Sequence, residues 1–445
     1  MSRLARATAA ALLLVPLSGS LSAQGSTRGN TIAFVGANII PMDRERVLEN
    51  QTVIIRDGRI AEMGPASSIR VPAGVERIEA RGKYLLPGLA EMHGHIPPPS
   101  APAAFIENVL FLYVANGITT VRGMLGAPNQ LELREKAKSG AIVAPTLYLA
   151  GPSLNGNSVN SPADAERMVR EQKAQGWDLL KVHPGLTRDE YDAMVRAARD
   201  VGISFGGHVP AEVGLAHALA SGQETIDHLD GYVEYLDGDK GSIDPARLTD
   251  AVRRSRESKT WIVPTMALWE TLIGVATLDK LKSYPELKYM PPNMVKGWVE
   301  AHENRLKSPE LDAAMGRRVA ENRRLILKAL HNGGVRVLMG TDAPQQFSVP
   351  GFSLHRELAD MRKAGLSPYQ ILESGTRNVG AYFSAKDDFG TVAKGKRADL
   401  VLVDANPLEN IGNLERRSGV MVRGRWLPEA EIRRRLAAIA EGYRK

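Results

Sequence analysis

The chain has 445 residues, a net charge of +7, 43% hydrophobic and 24% charged residues, and no cysteine. This length carries one large core plus a smaller unit, and the composition is that of a globular protein rather than a disordered or fibrous one. The lack of cysteine excludes disulfides, thiolate metal ligands and a cysteine nucleophile; the charge is spread out, and its one basic run, Arg433-Arg434-Arg435, reads as a solvated helix face, so no nucleic-acid partner is expected.

The amino terminus does not read as fold. Arg3 and Arg6 form a basic start, residues 9–17 are a short apolar run, and Leu21-Ser22-Ala23 ends in a small residue. This is the grammar of a secretory signal peptide over 1–23. The run is too short to span a bilayer comfortably. The expectation is a periplasmic or secreted protein with no membrane association after cleavage.

Residues 31–84 are β-rich. Ile32-Ala33-Phe34-Val35 and Gln51-Thr52-Val53-Ile54-Ile55 read as strands, and Asp57-Gly58 as the hairpin turn before Arg59-Ile60-Ala61-Glu62-Met63. The same grammar returns over 385–427, in Leu400-Val401-Leu402-Val403 and in Val420-Met421-Val422 before Arg423-Gly424. The two ends are expected to pair into one small β-sandwich domain, with a C-terminal helix over 428–445.

Between them, over 85–380, apolar strands alternate with helical stretches, the signature of parallel βα units. Strands are expected at 84–92, 118–124, 146–150, 179–182, 204–209, 224–229, 261–265 and 336–340. Helices at 162–175 and 188–201 are closed by Gly176 and Gly202. Eight such strands predict an α/β fold, a (β/α)8 TIM-like barrel. Residues 266–334 hold more than one connecting helix and are broken by Pro285, Pro291, Pro292 and Pro309. They are expected to form a helical insert over the barrel mouth, serving as lid and substrate pocket.

The first barrel strand runs into His93-Gly94-His95. Alternation places residues i and i+2 on one face, so both imidazoles point into one space and make half of a metal site. The other strand ends supply Lys181, His208, His228 and Asp342; with His93 and His95, four of the nine histidines fall at strand ends. His93, His95 and Asp342 would hold one divalent metal, and His208 and His228 a second, with zinc the default from ligand type. A lysine in an apolar strand is costly to bury. Lys181 either pairs with a carboxylate or, as a neutral amine, takes up carbon dioxide to give a carbamate that bridges two metals. Asp342 would also take a proton from the bridging water. His183, two residues after Lys181, and Tyr232, on the loop after His228, are candidate substrate contacts.

His93-Gly94-His95 after Leu86-Pro87-Gly88, with Lys181, His208, His228 and Gly340-Thr341-Asp342-Ala343, resembles the amidohydrolase superfamily. Asn116-Gly117-Ile118-Thr119-Thr120-Val121-Arg122 is similar to its second-strand segment, and 390–400 to the segment returning to its β domain. The resemblance spans about residues 31–425 and is nearest to the imidazolonepropionase-like group, which includes Xaa-Pro dipeptidases and ochratoxin-type amidases. It implies a binuclear metal-dependent hydrolase of amide C–N bonds, in dipeptides such as Xaa-Pro or in N-acyl amino acids. The chemistry implied is attack by a metal-bridged hydroxide, with Asp342 passing the proton to the leaving nitrogen. The partner implied is a small-molecule or dipeptide-like substrate, and a homo-oligomer is left open. Three departures leave the substrate open: a short, histidine-free segment at 151–160, Pro97-Pro98-Pro99 after the metal pair, and Gly123 where an aspartate is frequent. The alternatives are a deaminase, which in this superfamily usually works with one metal and without the lysine, a lactonase or phosphotriesterase, and a non-catalytic binding protein that would have lost ligands.

Overall fold

The first and last described strands build one sheet. In the computed structural model, which describes residues 31–308 and 312–444, the amino-terminal strands are β1 (Ile32–Ile39), β2 (Leu48–Arg56), β3 (Arg59–Pro65), β4 (Glu76–Glu79) and β5 (Tyr84–Pro87). A central series follows: β6 (Leu89–Gly94), β7 (Ile118–Gly123), β8 (Thr146–Leu149), β9 (Leu179–Val182), β10 (Ser204–Gly207), β11 (Thr225–Asp227) and β12 (Trp261–Val263). The chain finishes with β13 (Leu400–Val403), β14 (Arg417–Val422), β15 (Arg425–Pro428) and the helix Glu429–Gly442. The leader expected over 1–23, and Pro309, lie outside the described residues.

The terminal strands form a mixed sheet in the order β15-β14-β13-β5-β1-β2-β3, with β4 beside β1. Where the sequence suggested a sandwich, hydrogen bonding makes one continuous sheet, because β5 pairs with β1 on one side and β13 on the other. Ile32, Phe34, Val53, Ile55, Leu85, Leu400 and Leu402 bury one face of it, the period-two pattern of a half-buried sheet.

The single strand expected over 84–92 is in fact two. Pro87 has no N–H, Gly88 N donates to Asp399 O at 2.8 Å, and Leu89 N donates to Gly117 O at 2.9 Å. One residue therefore carries the chain from the terminal sheet to the central series. It must be glycine, since a Cβ there would lie 2.2 Å from the Thr119 hydroxyl oxygen.

The central strands make two parallel sheets, β6-β7-β8 and β9-β10-β11-β12. Single bridges join them at the seams, Ala150 to Leu179 and Ile262 to Val337, and Met92 N donates to Met339 O at 2.8 Å. The regular pairing is thus divided rather than one closed eight-stranded sheet. The eighth expected strand, 336–340, makes a single bridge and no regular ladder. The backbone beyond it is left-handed at Asp342 (φ +62°), Gln346 (φ +48°) and Phe347 (φ +65°), which a strand cannot accommodate.

The helices Pro162–Gln175 and Arg188–Val201 begin on side-chain caps from Ser161 and Thr187, the second a full capping box with Glu190. The described residues of 266–334 fold into helical pieces, among them Met266–Leu272, Pro292–Leu306 and Ala313–Asn332. Among the described residues no helix is long and apolar enough to cross a membrane.

Candidate metal centre

The polar residues at the carboxyl ends of the central strands converge. His93 ends the apolar run of β6, and His95 lies just past it. His95 Nε2 is 2.5 Å from Asp342 Oδ1, and His93 Nε2 is 3.6 Å from the same oxygen. The ligand atoms of His93, His95 and Asp342 lie within 4.8 Å of one another, a donor set suited to a divalent cation. Lys181, fully buried on β9, brings Nζ to 3.2 Å from His93 Nε2. His228 Nε2 is 3.6 Å from Asp342 Oδ2. The His228 ring is 4.4 Å from that of His93 and 4.6 Å from that of His208. His183 stacks on His208 with ring centres 4.8 Å apart.

Two of the candidate ligand histidines are hydrogen-bonded through Nδ1: His208 Nδ1 lies 2.6 Å from Asp230 Oδ2, and His228 Nδ1 2.8 Å from Thr265 Oγ1. His93 Nδ1 lies 2.7 Å from Asp227 Oδ2, close enough for an ion pair but outside hydrogen-bond geometry. A neutral imidazole has one N–H, so donation from Nδ1 leaves Nε2 of His208 and His228 as a lone-pair donor. His228 Nε2 is buried with no hydrogen-bond partner among the described residues. An orphaned buried nitrogen beside a carboxylate fits a metal ligand. Behind Asp227 stands Arg122 of β7, whose Nη2 is 3.2 Å from both carboxylate oxygens and whose Nε donates to Met92 O at 2.6 Å.

Glu91 ties β6 to the segment carrying Asp342. Its Oε1 accepts from His93 N at 2.9 Å and Thr341 N at 2.8 Å, and its Oε2 accepts from the Thr341 hydroxyl at 2.5 Å. His228 (φ +64°) and Asp342 (φ +62°) both have left-handed backbones, a strain that non-glycine residues carry where the surroundings over-determine it, often at functional sites.

Burial, and then the neighbouring Lys181, holds His93 well below the ordinary histidine value; burial and His93 do the same for His228. Both imidazoles are therefore neutral, the ligating form. Burial lowers Lys181 to about 8, which raises the share of neutral amine. Burial works to raise Asp227, but Arg122 and Lys181 outweigh it and keep the carboxylate ionised.

The sequence pattern of the Amidohydrolase family matches residues 84–427. The chain belongs to the amidohydrolase family. Adenine deaminase 3 of Rhizobium meliloti (strain 1021) is 23% identical over 405 residues, covering 87% of this chain and 56% of that protein. The chain spans about half the length of the curated relatives it matches. Among solved structures, a bottromycin amidohydrolase superposes with a TM-score of 0.73 at 25% identity, over 93% of this chain and 91% of that one. A Xaa-Pro dipeptidase with methionine bound in its active site superposes with a TM-score of 0.70 at 20% identity, over 89% and 100%. The likeness to the dipeptidase is one of fold, and the fold implied is TIM-like.

In this amidohydrolase the structure brings together His93, His95, Lys181, His208, His228 and Asp342, with His183 against His208. It does not bring Tyr232 to them. Tyr232 begins the short helix Tyr232–Tyr235, its side chain is fully buried, and its hydroxyl lies 2.6 Å from Ser255 Oγ. That bond engages the hydroxyl in the core, so the expected substrate contact does not fit. Sequence reasoning missed Asp227, Asp230, Thr265, Glu91 and Arg122. A signal existed for two of them: Arg122 and Asp227 are opposite charges within apolar strands, and buried charges require partners.

Proposed function

We propose that this amidohydrolase hydrolyses amide C–N bonds in dipeptides such as Xaa-Pro or in N-acyl amino acids. Two divalent metal ions, zinc by ligand type, would be held by His93, His95, Lys181, His208, His228 and Asp342. The observation that carries this reading is Lys181 Nζ, buried and 3.2 Å from His93 Nε2. A bare ammonium there would repel cations, whereas carboxylation of Nζ replaces it with an anionic carbamate. When bound, the metals supply polarisation of the scissile carbonyl and a water of lowered pKa. Asp342 accepts the proton of the attacking water on its carboxylate and delivers it to the leaving nitrogen. Asp230 and Thr265 keep His208 and His228 in the ligating tautomer, and Asp227 places its carboxylate against His93 Nδ1. The bottromycin amidohydrolase, at 25% identity, supports amide chemistry.

The organisation that goes with this reading is a barrel over 85–380, with 266–334 as a wall of the substrate pocket. Segments 31–84 and 385–427 make the β domain, and 428–445 the terminal helix. The 1–23 segment supports export to the periplasm or beyond. A second reading, deamination, is favoured by relatives named adenine deaminases. Metal analysis together with assays on dipeptides, N-acyl amino acids and adenine separates the two. Amino-acid release with two metals per chain is expected; ammonia release from adenine with one metal would replace this reading by the second.

A further inference from the structure

Thr265 follows β12 by two residues and has φ +45°. A β-branched residue adopts this backbone only when its surroundings force it. Two buried ionisable side chains do so from two separate helices. Arg323, on Ala313–Asn332, donates from Nη2 to Pro264 O at 3.1 Å, and its guanidinium lies over the Trp269 ring at 4.5 Å. Glu357, on Ser353–Lys363, accepts at Oε2 from Ala267 N at 2.9 Å. The two bonds fall on the residue just before Thr265 and on the second residue after it. Both side chains are buried, and Arg323 Nε and Glu357 Oε1 have no hydrogen-bond partner among the described residues. Burying two ionisable groups to hold two backbone atoms is costly, so the backbone they hold has a use. Between those atoms, Thr265 Oγ1 sits 2.8 Å from His228 Nδ1, while His228 N donates to Val263 O at 2.7 Å.

We propose that Arg323 and Glu357 are positioning residues. By holding Pro264 O and Ala267 N, they fix Thr265 so that its hydroxyl oxygen takes the Nδ1–H of His228 and leaves Nε2 free for a metal ion. The insert 266–334, which carries Arg323, is thereby tied to the orientation of a ligand and is more than a cover. This inference rests on the reading of His228 as a metal ligand.

The test is Zn2+ titration of the metal-stripped full chain, with the His228 tautomer read by NMR of 15N-histidine-labelled, metal-free protein. The variants are Thr265→Ala, Thr265→Ser and Arg323→Met, with His228→Ala as reference. Thr265→Ala and Arg323→Met are each expected to weaken zinc binding by about tenfold or more. Thr265→Ser, which keeps the oxygen, is expected to stay near wild type. In Thr265→Ala, the His228 proton is expected to leave Nδ1 in part. Should Arg323→Met fail to fold, Glu357→Ala takes its place with the same expected loss. Wild-type affinity in Thr265→Ala, or in the folded Arg323 or Glu357 variant, overturns the proposal. The two levels separate cleanly: unchanged affinity in His228→Ala sinks the ligand reading itself, whereas a weakened His228→Ala beside an unaffected Thr265→Ala sinks only the positioning.

Discussion

His93 Nδ1 lies 2.7 Å from Asp227 Oδ2, and Asp227 is in turn held by Arg122 Nη2 at 3.2 Å from both its oxygens. The pair joins β6 to β11 and puts a carboxylate beside the His93 nitrogen opposite the one near Lys181 and Asp342. Asp227→Asn removes the anion from a fully buried ion pair and leaves the Arg122 cation uncompensated. Metal affinity is expected to fall about 10- to 100-fold, and stability by about 3 kcal/mol. Metal titration and urea unfolding measure the two effects, and a variant with wild-type metal affinity would contradict the assignment.

Asp342 touches His95 Nε2 at 2.5 Å and faces His228 Nε2 at 3.6 Å. Asp342→Asn keeps the shape and one ligating oxygen but cannot accept a proton. Turnover is expected to drop by several orders of magnitude while most of the metal stays bound. Activity near wild type, with metal measured in the same sample, would end the proton-shuttle role.

Lys181→Ala is expected to lose most activity and to bind fewer than two metals per chain. Short carboxylic acids added to this variant should partly restore activity, because a free carboxylate can fill the bridging place. The wild-type protein should show added mass on the Lys181 amine in native mass spectrometry. Two metals on a bare amine, or a fully active Lys181→Ala, removes the bridging role and favours the deaminase reading.

His355 gives an acid-stability prediction. Burial, followed by Arg417 and Arg356, pushes its imidazole down to about 3. Folding therefore favours the neutral ring, and the unfolded chain binds the proton first. Stability from this residue is intact above the usual histidine value of about 6.5 and is lost as pH falls from there toward the folded value, at about 1.4 kcal/mol per pH unit. His355→Gln should flatten that loss, so that by pH 5 it has been spared about 2 kcal/mol relative to wild type. Urea unfolding of both proteins at pH 7 and pH 5 measures the difference; parallel losses would contradict it.

Tyr232→Phe separates a core tyrosine from a substrate tyrosine. The change deletes the contact with Ser255 Oγ, which still donates to Ala251 O at 2.7 Å. A stability loss of about 1 kcal/mol is expected, with KM unchanged for whichever substrate is turned over. A clear rise in KM at full stability would return Tyr232 to the site.

The sequence alone determined what local rules can reach. Ser161 and Thr187 announce helix starts because a side-chain oxygen can satisfy a free N–H within one turn. His93 and His95 are legible as a pair because strand alternation acts over two residues. Tertiary structure decided what depends on strand order and burial. Asp227 is adjacent to His228 in the chain yet holds His93; Asp230 holds His208; and His228 is held by Thr265, 37 residues away. No local pattern encodes such exchanges, because a side chain at a strand end meets its partners on other strands and loops rather than along its own strand. The handover at Gly88 is of the same kind. An apolar run reads as one strand, but its hydrogen-bond partners change from Asp399 to Gly117 in a single step. Only the packing of Thr119 against Gly88 shows why the residue at that handover carries no side chain.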